Sequence, residues 1–307
     1  MTPSTTPTAR LAAGLALVVA VLAAIGAACG VFLRGDLATT AFTTVRGEVV
    51  DTVSAGLYRF NGLTVASEGV GWDAVTLFLV VPALLVALPG VARGSLRARL
   101  LVAGLLVYFC YQGLEYAMFL AFGPLFPVYV GTFAMAGCAL AALASTFDLR
   151  SLAAATDPTF PRRAVAGLGT FMALLLAGMW LPMVLGNLTA TVVEPLDGAT
   201  TLVVQALDLG FLVPLGIFTA VLAWRRAPAG VLLASVVVVK AVAMALAIVA
   251  MLVVEAATTG ELSAPPIVIF ALTAVAAAGI GRRVFRSIHE LEPVTAPLPA
   301  ASRPVAA

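Results

Sequence analysis

The chain consists of long apolar runs separated by short polar segments. A helix needs about 20 residues to cross about 30 Å of hydrocarbon, because each residue adds about 1.5 Å. Scanning for runs of this length predicts eight transmembrane helices and therefore an all-α, polytopic membrane bundle. The predicted spans are Leu11–Leu33, Asp73–Val91, Leu100–Phe122, Leu125–Thr146, Val165–Leu185, Leu207–Trp224, Ala229–Val254 and Pro266–Ile280.

The composition agrees with this pattern. Hydrophobic residues make up 62% of the chain and charged residues 10%, with a mean hydropathy of +1.10. These values lie far from those of soluble domains, so an integral membrane protein surrounded by a lipid bilayer is predicted. The net charge of +2 is not gathered into a basic patch, and a nucleic-acid partner is therefore not expected.

The arginines predict the orientation of the bundle, because cytoplasmic connections are enriched in basic residues. Basic groups fall on alternate connections, so both termini are expected in the cytoplasm of a bacterial cell, with the protein in the plasma (inner) membrane. Only the first outer loop departs from this pattern, with Arg34, Arg46 and Arg59, and its acids offset them. The basic connections carry Arg10; Arg93, Arg97 and Arg99; Arg150, Arg162 and Arg163; Arg225 and Arg226; and Arg282, Arg283 and Arg286. The acidic connections carry Glu194, Asp197, Glu255 and Glu261.

One transmembrane domain is predicted over residues 10–286, with an outer loop at 34–72. Residues 1–9 and 287–307 are polar or rich in proline and alanine, and they are expected to be disordered. The two halves show the same alternation of outer acids and inner arginines. Topology alone produces this alternation, so it does not indicate an inverted repeat, and no internal repeat is predicted.

The first apolar run also has features of a secretory signal, since Arg10 precedes it and small residues precede Cys29. Gly26 stands where lipoprotein cleavage sites usually carry a larger aliphatic residue, and the run continues to Leu33. A retained span is favoured. Gly26 and Gly30 then form a small-xxx-small face that lets a neighbouring helix approach.

The inventory of reactive residues excludes several kinds of site. The single histidine, His289, lies beyond the last predicted span, so a bis-histidine haem or a Ser/His/Asp triad inside the membrane is excluded. Cys29, Cys110 and Cys138 lie inside predicted spans without metal-ligand spacing. No Walker loop is present. No catalytic residue, metal site or cofactor is therefore predicted.

Three charges in or near the spans carry the remaining chemistry: Glu115, Asp208 and Lys240, which is the only lysine. Counting from the arginines at the helix ends places them at heights of about 24, 26 and 21 Å. Charges at membrane depth are costly and usually have partners or functions. Asp208 has a competing interpretation as an N-terminal helix cap, because the sixth span could begin at Leu209.

The third predicted span places Tyr108, Tyr111, Gln112 and Glu115 on one helical face. This stripe should face protein or water rather than lipid. It is interpreted either as the wall of a solvated cavity or as a hydrogen-bonded seam with a buried Glu115–Lys240 ion pair.

The outer loop contains Asn61-Gly62 between two short apolar stretches, a pattern typical of a β-hairpin with a type I′ turn. A short amphipathic helix is the alternative. Both interpretations leave a group of side chains that need cover, which indicates a lid or a docking surface for a membrane-protein partner. This group is Leu57, Tyr58, Arg59 and Phe60.

Several segments together resemble a family of uncharacterised bacterial multi-pass membrane proteins, a resemblance that implies no known activity. They are Arg46-Gly47-Glu48, Gly56-Leu57-Tyr58-Arg59, Asp73 with Thr76-Leu77, Tyr108 to Phe122, Asp208-Leu209-Gly210 with Pro214, and Lys240. Lys240 also resembles the retinal-bearing lysine of rhodopsins. Its helix, the seventh of eight, runs outward as only in the inverted heliorhodopsin topology, and few aromatic residues surround it in sequence.

Two main hypotheses of function follow. In the first, the protein is a carrier or small-ligand-binding bundle in which Glu115, Lys240 and Asp208 line a site for a small molecule or ion. In the second, it is a non-transporting sensor or assembly component, and a buried Glu115–Lys240 pair fixes its packing. Retinal binding is a remote third, and no enzymatic activity is indicated.

Overall fold

The computed structural model describes residues 7–190, 193, 196 and 198–290. Within them, eight helices are long and apolar enough to cross a membrane, which confirms the predicted number of spans. The eight are Pro7–Phe32, Leu63–Ala92, Leu96–Phe119, Phe126–Ala144, Arg162–Gly186, Val203–Trp224, Pro228–Thr259 and Ala264–Arg286. The fold is therefore an all-α bundle, and the chain is a multi-pass membrane protein.

The helical elements, in chain order, are α1 (Pro7–Phe32), α2 (Leu63–Val75), α3 (Val81–Ala92), α4 (Leu96–Phe119), α5 (Phe126–Ala144), α6 (Leu149–Ala154), α7 (Arg162–Gly186), α8 (Val203–Leu207), α9 (Val213–Trp224), α10 (Pro228–Thr259) and α11 (Ala264–Arg286). Two π-helical segments, π1 (Thr76–Val80) and π2 (Asp208–Leu212), join α2 to α3 and α8 to α9. The second and sixth spans are thus continuous helices with a wider turn in the middle.

The second span begins earlier than predicted, at Leu63 rather than Asp73, and the predicted loop 34–72 is correspondingly too long. The stretch from Ser67 to Asp73 contains charged and small residues that lower its apparent hydropathy. These residues are buried against protein rather than lipid: Gly71 approaches α10 so closely that a Cβ atom there would overlap the backbone of Ala250. A polar helix inside the bundle therefore resembles a loop in sequence.

Each π segment precedes a proline, Pro82 or Pro214, inside a spanning helix. Proline has no N–H group to donate and its ring crowds the preceding turn, so an α-helix must widen or bend before it. π turns of this kind are frequent at functional sites. Here they fall at Thr76 and Asp208, two polar residues in the middle of spans.

The middle of the second span and the start of the third span recur at a constant separation along the chain, once in α1–α5 and again in α7–α11. Thr76–Val80 corresponds to Asp208–Leu212, and the two following helices each have 12 residues. Gly94 and Arg226, at equivalent places in the next turn, both have a positive φ, of 83° and 58°. Tyr108 of α4 then corresponds to Lys240 of α10.

We call α1–α5 the first half and α7–α11 the second half. Each half contributes four spans, so the corresponding second and third spans of the two halves cross the bundle in the same direction. The third span of each half lies at the centre, where α10 packs against α2 and α4. In α4, 78% of the residues in its most apolar stretch are buried inside the protein.

One end of the bundle carries a β-hairpin, formed by β1 (Thr39–Thr43) and β2 (Val49–Val53) in antiparallel register. We call this the hairpin end and the opposite end, with most of the arginines, the arginine end. The predicted hairpin around Asn61-Gly62 is wrong, and so is its alternative of an amphipathic helix, because Gly62 is the N-cap of α2. Asn61 instead accepts a hydrogen bond from the Ala121 N–H at 2.8 Å. The strands use the β-branched residues on either side of Gly47, which suit a pleated chain.

At the arginine end, residues 287–290 fold back against the bundle, unlike the predicted disordered tail. Ile288 is fully buried, and the Glu290 carboxylate accepts hydrogen bonds from the backbone of Leu96 at 2.6 Å and from the hydroxyl of Ser95 at 2.7 Å. Glu290 thus caps the N-terminus of α4, where a negative charge is favoured. The remaining predicted disorder, at 1–6 and 291–307, lies outside the described residues, whereas 7–9 belong to α1.

Candidate functional site

A cavity of about 500 Å³ lies between the two halves. The first half contributes side chains from α2 and α4 and the second half from α7, α8, π2, α10 and α11. The polar and aromatic lining residues are Thr64, Glu68, Trp72, Tyr111, Glu115, Phe119, Trp180, Gln205, Asp208 and Phe270. The volume is within the range of small-molecule sites, and the position between repeats is where transporters bind their substrates.

Asp208 is a buried acceptor at this cavity. Its Oδ1 accepts a hydrogen bond from the Tyr111 hydroxyl at 2.6 Å and its Oδ2 from Trp180 Nε1 at 2.8 Å. The interpretation as a helix cap is wrong, because α8 already begins at Val203 and Asp208 lies inside the span, at the start of π2. The carboxylate therefore joins the first half, through Tyr111, to two elements of the second half.

Glu115 lies in the same lining with only 5% of its surface exposed. Among the described residues its Oε2 atom has no hydrogen-bond partner. A buried polar atom without a partner usually costs about 1–3 kcal/mol, and more when it is charged. Glu115 thus has a free acceptor oxygen next to a cavity that is large enough for a small ligand.

Lys240 is buried behind Tyr111, with its ammonium nitrogen 4.1 Å from the centre of the tyrosine ring. Within the described part of the chain, no carboxylate oxygen lies within 4.0 Å of that nitrogen. Asp208 and Glu115 both act on Lys240 electrostatically, Asp208 more strongly. The direct Glu115–Lys240 ion pair of the second hypothesis is therefore not formed. Lys240 makes a cation–π contact instead.

The predicted stripe on α4 is buried throughout but divides between two environments. Tyr111 and Glu115 line the cavity. Tyr108 and Gln112 belong to a hydrogen-bonded cluster inside the first half: Trp72 Nε1 donates to the Tyr108 hydroxyl at 2.8 Å, and Gln112 Nε2 donates to the Thr76 hydroxyl at 2.9 Å. The two hydroxyls are themselves 2.7 Å apart and share a hydrogen bond.

Seven of the ten polar and aromatic lining residues escaped prediction, among them Glu68, Trp72 and Trp180. Glu68 and Trp72 were placed in the outer loop, although their spacing of one helical turn, continued by Thr76, is a signal for a common face of a helix. Trp180 follows an ordinary apolar run, and nothing local in the sequence marks it. The polar and small residues that make the start of the second span resemble a loop therefore also conceal two residues of the cavity lining.

The predicted lid does not cover the cavity. Tyr58 is buried and donates a hydrogen bond to Asp73, whereas Phe60 is 60% exposed beside Arg59, whose guanidinium lies 4.3 Å from its ring centre. Leu57 and Tyr58 line a separate, smaller cavity. The loop is therefore fixed to the first half, next to the site rather than over it.

The chemistry of the lining favours a positively charged ligand. Three carboxylates, those of Glu68, Glu115 and Asp208, face the cavity, and the only nearby ammonium lies behind Tyr111. Trp72, Tyr111 and Trp180 offer aromatic faces, which attract organic cations. No group of three or more metal-ligating side chains occurs within the described ranges. Fold and site together therefore describe a multi-pass membrane protein. Its cavity between the halves is lined by carboxylates and aromatic rings.

No protein-family model, no curated protein and no solved structure matches this chain.

Proposed function

We propose that this protein is a carrier for a small organic cation with an apolar body, which binds in the cavity between the halves. The observation that carries the proposal is the joint presence of Glu115, buried with an unpartnered oxygen, and Asp208 in one aromatic-lined cavity. Charged groups at membrane depth that face a cavity are typical of substrate and ion pathways.

The two walls of the cavity suit the two parts of such a ligand. The wall from α4 presents Tyr111, Glu115 and Phe119, whereas the wall from α10 is entirely apolar. A cationic head group would lie against Glu115 and the aromatic rings, and an apolar body would contact Met244, Ile248 and Met251. Burying that body stabilises the complex by about 25 cal/mol per Å².

Transport, rather than binding alone, is supported by the arrangement of the halves. They enter the membrane in the same direction, each has a proline-associated π turn in its second span, and the cavity lies at their junction. Relative rocking of such repeats around a fixed site is the common route to alternating access. The location in a bacterial inner membrane stays a prediction.

The missing Glu115–Lys240 ion pair counts against the purely structural hypothesis of a sensor or assembly component. Among the described residues, the Oε2 atom of Glu115 has no hydrogen-bond partner, so one of its two carboxylate oxygens is not used in packing. Lys240 is not part of the cavity lining and is covered by the Tyr111 ring, which does not favour a chromophore attached to its amine.

Uptake into proteoliposomes tests the proposal. Radiolabelled benzyltrimethylammonium, which combines a quaternary ammonium with an aromatic body, should accumulate inside vesicles that carry an inside-negative potential. Benzylsulfonate, an anion of similar shape, should not. Glu115→Gln should abolish the uptake, whereas Glu261→Gln, the same change at an exposed position outside the cavity, should leave it unchanged.

Two outcomes would contradict the proposal. Uptake at the rate of protein-free vesicles, with binding intact, would make the protein a receptor rather than a carrier. Equal loss of uptake in both variants would show that Glu115 has no special role.

A further inference from the structure

A second buried carboxylate lies in the first half, outside the cavity. Asp73, near the end of α2, has 1% of its surface exposed. The Tyr58 hydroxyl donates a hydrogen bond to its Oδ2. The Tyr116 hydroxyl lies 3.3 Å from its Oδ1 and 3.2 Å from the Gly69 carbonyl, so a single proton is divided between two acceptors.

No positive charge balances this carboxylate. Among the described residues, no arginine, lysine or histidine nitrogen lies within 4.0 Å of Asp73. The titratable groups around it are Tyr58 from the loop, Tyr108 and Tyr116 from α4 and Tyr129 from α5. From α1 it meets Gly30, and α10 approaches α2 at Gly71 through the backbone of Ala250 and Met251. Tyrosine and cysteine are neutral near pH 7.

An ionised carboxylate in such surroundings would be expensive, because burial of an unpaired charge costs several kcal/mol even after relaxation. A proton removes that cost. A protonated Asp73 would donate to one of the two tyrosine hydroxyls and accept from the other, so both contacts are kept with one of them reversed.

Two small cavities lie between Asp73 and the hairpin end. The inner one, of about 10 Å³, has Asp73, Gln112, Tyr116, Tyr129 and Thr132 among its lining residues. A space of this size holds about one water molecule when polar partners surround it. The outer cavity, also of about 10 Å³, lies under the turn at Pro124 and shares Tyr116 and Tyr129 with the inner one.

We propose that Asp73 is a proton-binding site that exchanges with the hairpin side through the hydroxyls of Tyr58 and Tyr116, which contact its carboxylate and also line the outer cavity. A hydronium ion at the outer cavity gives up one proton and becomes water. Each hydroxyl on the way accepts a proton on its oxygen and passes its own proton on, so that one O–H bond finally forms on the Asp73 carboxylate. The site loses its negative charge, and the reverse steps release the proton.

The position of Asp73 is fixed tightly enough for this role. Gly30 of α1 faces it, and a Cβ atom at Gly30 would overlap both the carboxylate and the Tyr58 hydroxyl. The glycine is required for this close approach. The site is also separate from the ligand cavity, because Trp72, which lines that cavity, packs against Tyr116 with ring centres 5.3 Å apart.

Infrared spectroscopy of the purified protein in lipid nanodiscs tests the proposal without any ligand. At neutral pH, the wild-type protein should show the carbonyl band of a protonated carboxylic acid. Labelling of aspartate with ¹³C at the side-chain carboxyl should shift that band, and transfer into D₂O should shift it again by exchange. Asp73→Asn, which keeps the size of the side chain, should remove it, whereas Asp208→Asn should not.

Tyr58→Phe is the matched variant for the pathway. It keeps the ring but removes the hydroxyl that contacts Asp73, so the band should persist at a shifted frequency and exchange more slowly with D₂O. A ¹³C-labelled aspartate band that survives Asp73→Asn, or one that does not exchange, would overturn the proposal, whereas an unlabelled band would belong to a glutamate such as the buried Glu115. So would disappearance of the band on addition of Na⁺ at constant pH, because the site would then hold a metal cation.

If Asp73→Asn does not fold, isotope labelling still decides the question in the Asp208→Asn protein. The labelled band must then come from another buried aspartate, and Asp73 is the one that remains among the described residues. Absence of a labelled band in that protein would also overturn the proposal.

Discussion

The second and third spans of the two halves occupy equivalent positions along the chain but differ sharply in where they place polar groups. The first spans pack differently, since α1 lies against α5 whereas α7 lies mainly against α9. At equivalent positions, the first half has the neutral pair Thr76 and Tyr108, joined by a hydrogen bond of 2.7 Å, and the second half has the charged pair Asp208 and Lys240. Elsewhere the difference is reversed. Tyr111, Gln112 and Glu115 of α4 correspond to Ala243, Met244 and Ala247 of α10.

This difference gives the cavity one polar and one apolar wall. A duplicated bundle with identical halves would present the same chemistry from both sides. Here, α4 supplies the carboxylate and aromatic groups, and α10 supplies Met244, Ile248, Met251 and Leu252. Because α4 and α10 carry different side chains at equivalent positions, the cavity between them is amphipathic.

The largest effect is expected at the first pair. Asp208→Ala removes the acceptor for Tyr111 and Trp180 and leaves Lys240 without its strongest electrostatic partner, so it should lower the free energy of unfolding by about 3–5 kcal/mol. Thr76→Ala, at the equivalent position, leaves neutral groups unpaired and should cost about 1–3 kcal/mol. Reversible unfolding in mixed detergent micelles measures both. Equal losses would contradict the difference between the halves.

The second comparison is a pair of double-mutant cycles on Lys240. We expect Lys240→Met and Asp208→Asn to be coupled by about 1–3 kcal/mol, because Asp208 is the stronger electrostatic partner. Lys240→Met and Glu115→Gln should be coupled more weakly, since the two side chains form no ion pair. If the Glu115→Gln/Lys240→Met double variant were more stable to unfolding than either single variant, the hypothesis of a structural Glu115–Lys240 pair would be restored.

The third comparison separates the walls of the cavity. Met251→Ala shortens a side chain on the apolar wall, so it should weaken the binding of benzyltrimethylammonium by about 1 kcal/mol, or roughly fivefold in Kd. Tetramethylammonium has no aromatic body, and its weaker binding should not change. Calorimetric titration of both cations against the same variant provides the measurement. A parallel loss for both would mean that the variant disturbs the whole site.

The smallest effect concerns the turns that precede the two central helices. The Ser95 hydroxyl accepts a hydrogen bond from the Ala98 N–H at the start of α4, whereas the equivalent residue before α10 is Ala227, which has no such group. Ala227 has an extended backbone (φ −67°, ψ 142°) that suits a cap. We expect Ser95→Ala to destabilise by about 1 kcal/mol and Ala227→Ser to stabilise by about 0.5–1 kcal/mol in thermal unfolding. Destabilisation by Ala227→Ser would show that the two turns are not equivalent.

The eight spans could be predicted from sequence because lipid-facing helices must be apolar along their whole length. The same rule fails where a helix is enclosed by others: Glu68 and Asp73 are tolerated in α2 because they face protein, and they hid the start of that helix. The correspondence between halves was missed for a related reason. Identical residues are few, and the strongest signals, Val81-Pro82 with Val213-Pro214 and Arg93 with Arg225, are common types in membrane helices.

The charges of the site could also be predicted, but their partners could not. Glu115, Asp208 and Lys240 stand out in sequence because the residues around them are apolar. Their neighbours depend on how the helices of the two halves are rotated against each other, and no local sequence pattern predicts that rotation. The ring of Tyr111 under Lys240 and the Trp180 donor to Asp208 are such contacts. Asp73 is predicted only as the first residue of the second span, and its burial depends on Gly30 of another helix.

Cation binding at the junction of the halves is tested most directly by isothermal titration calorimetry of the purified protein with benzyltrimethylammonium. Benzylsulfonate serves as the anionic control, and Glu115→Gln and Glu261→Gln are the paired variants. We predict saturable binding of the cation alone, at one site per chain, with Kd raised at least about tenfold by Glu115→Gln and unchanged by Glu261→Gln. Equal binding of the anion, or an unchanged Kd in Glu115→Gln, would contradict a cation site in this cavity.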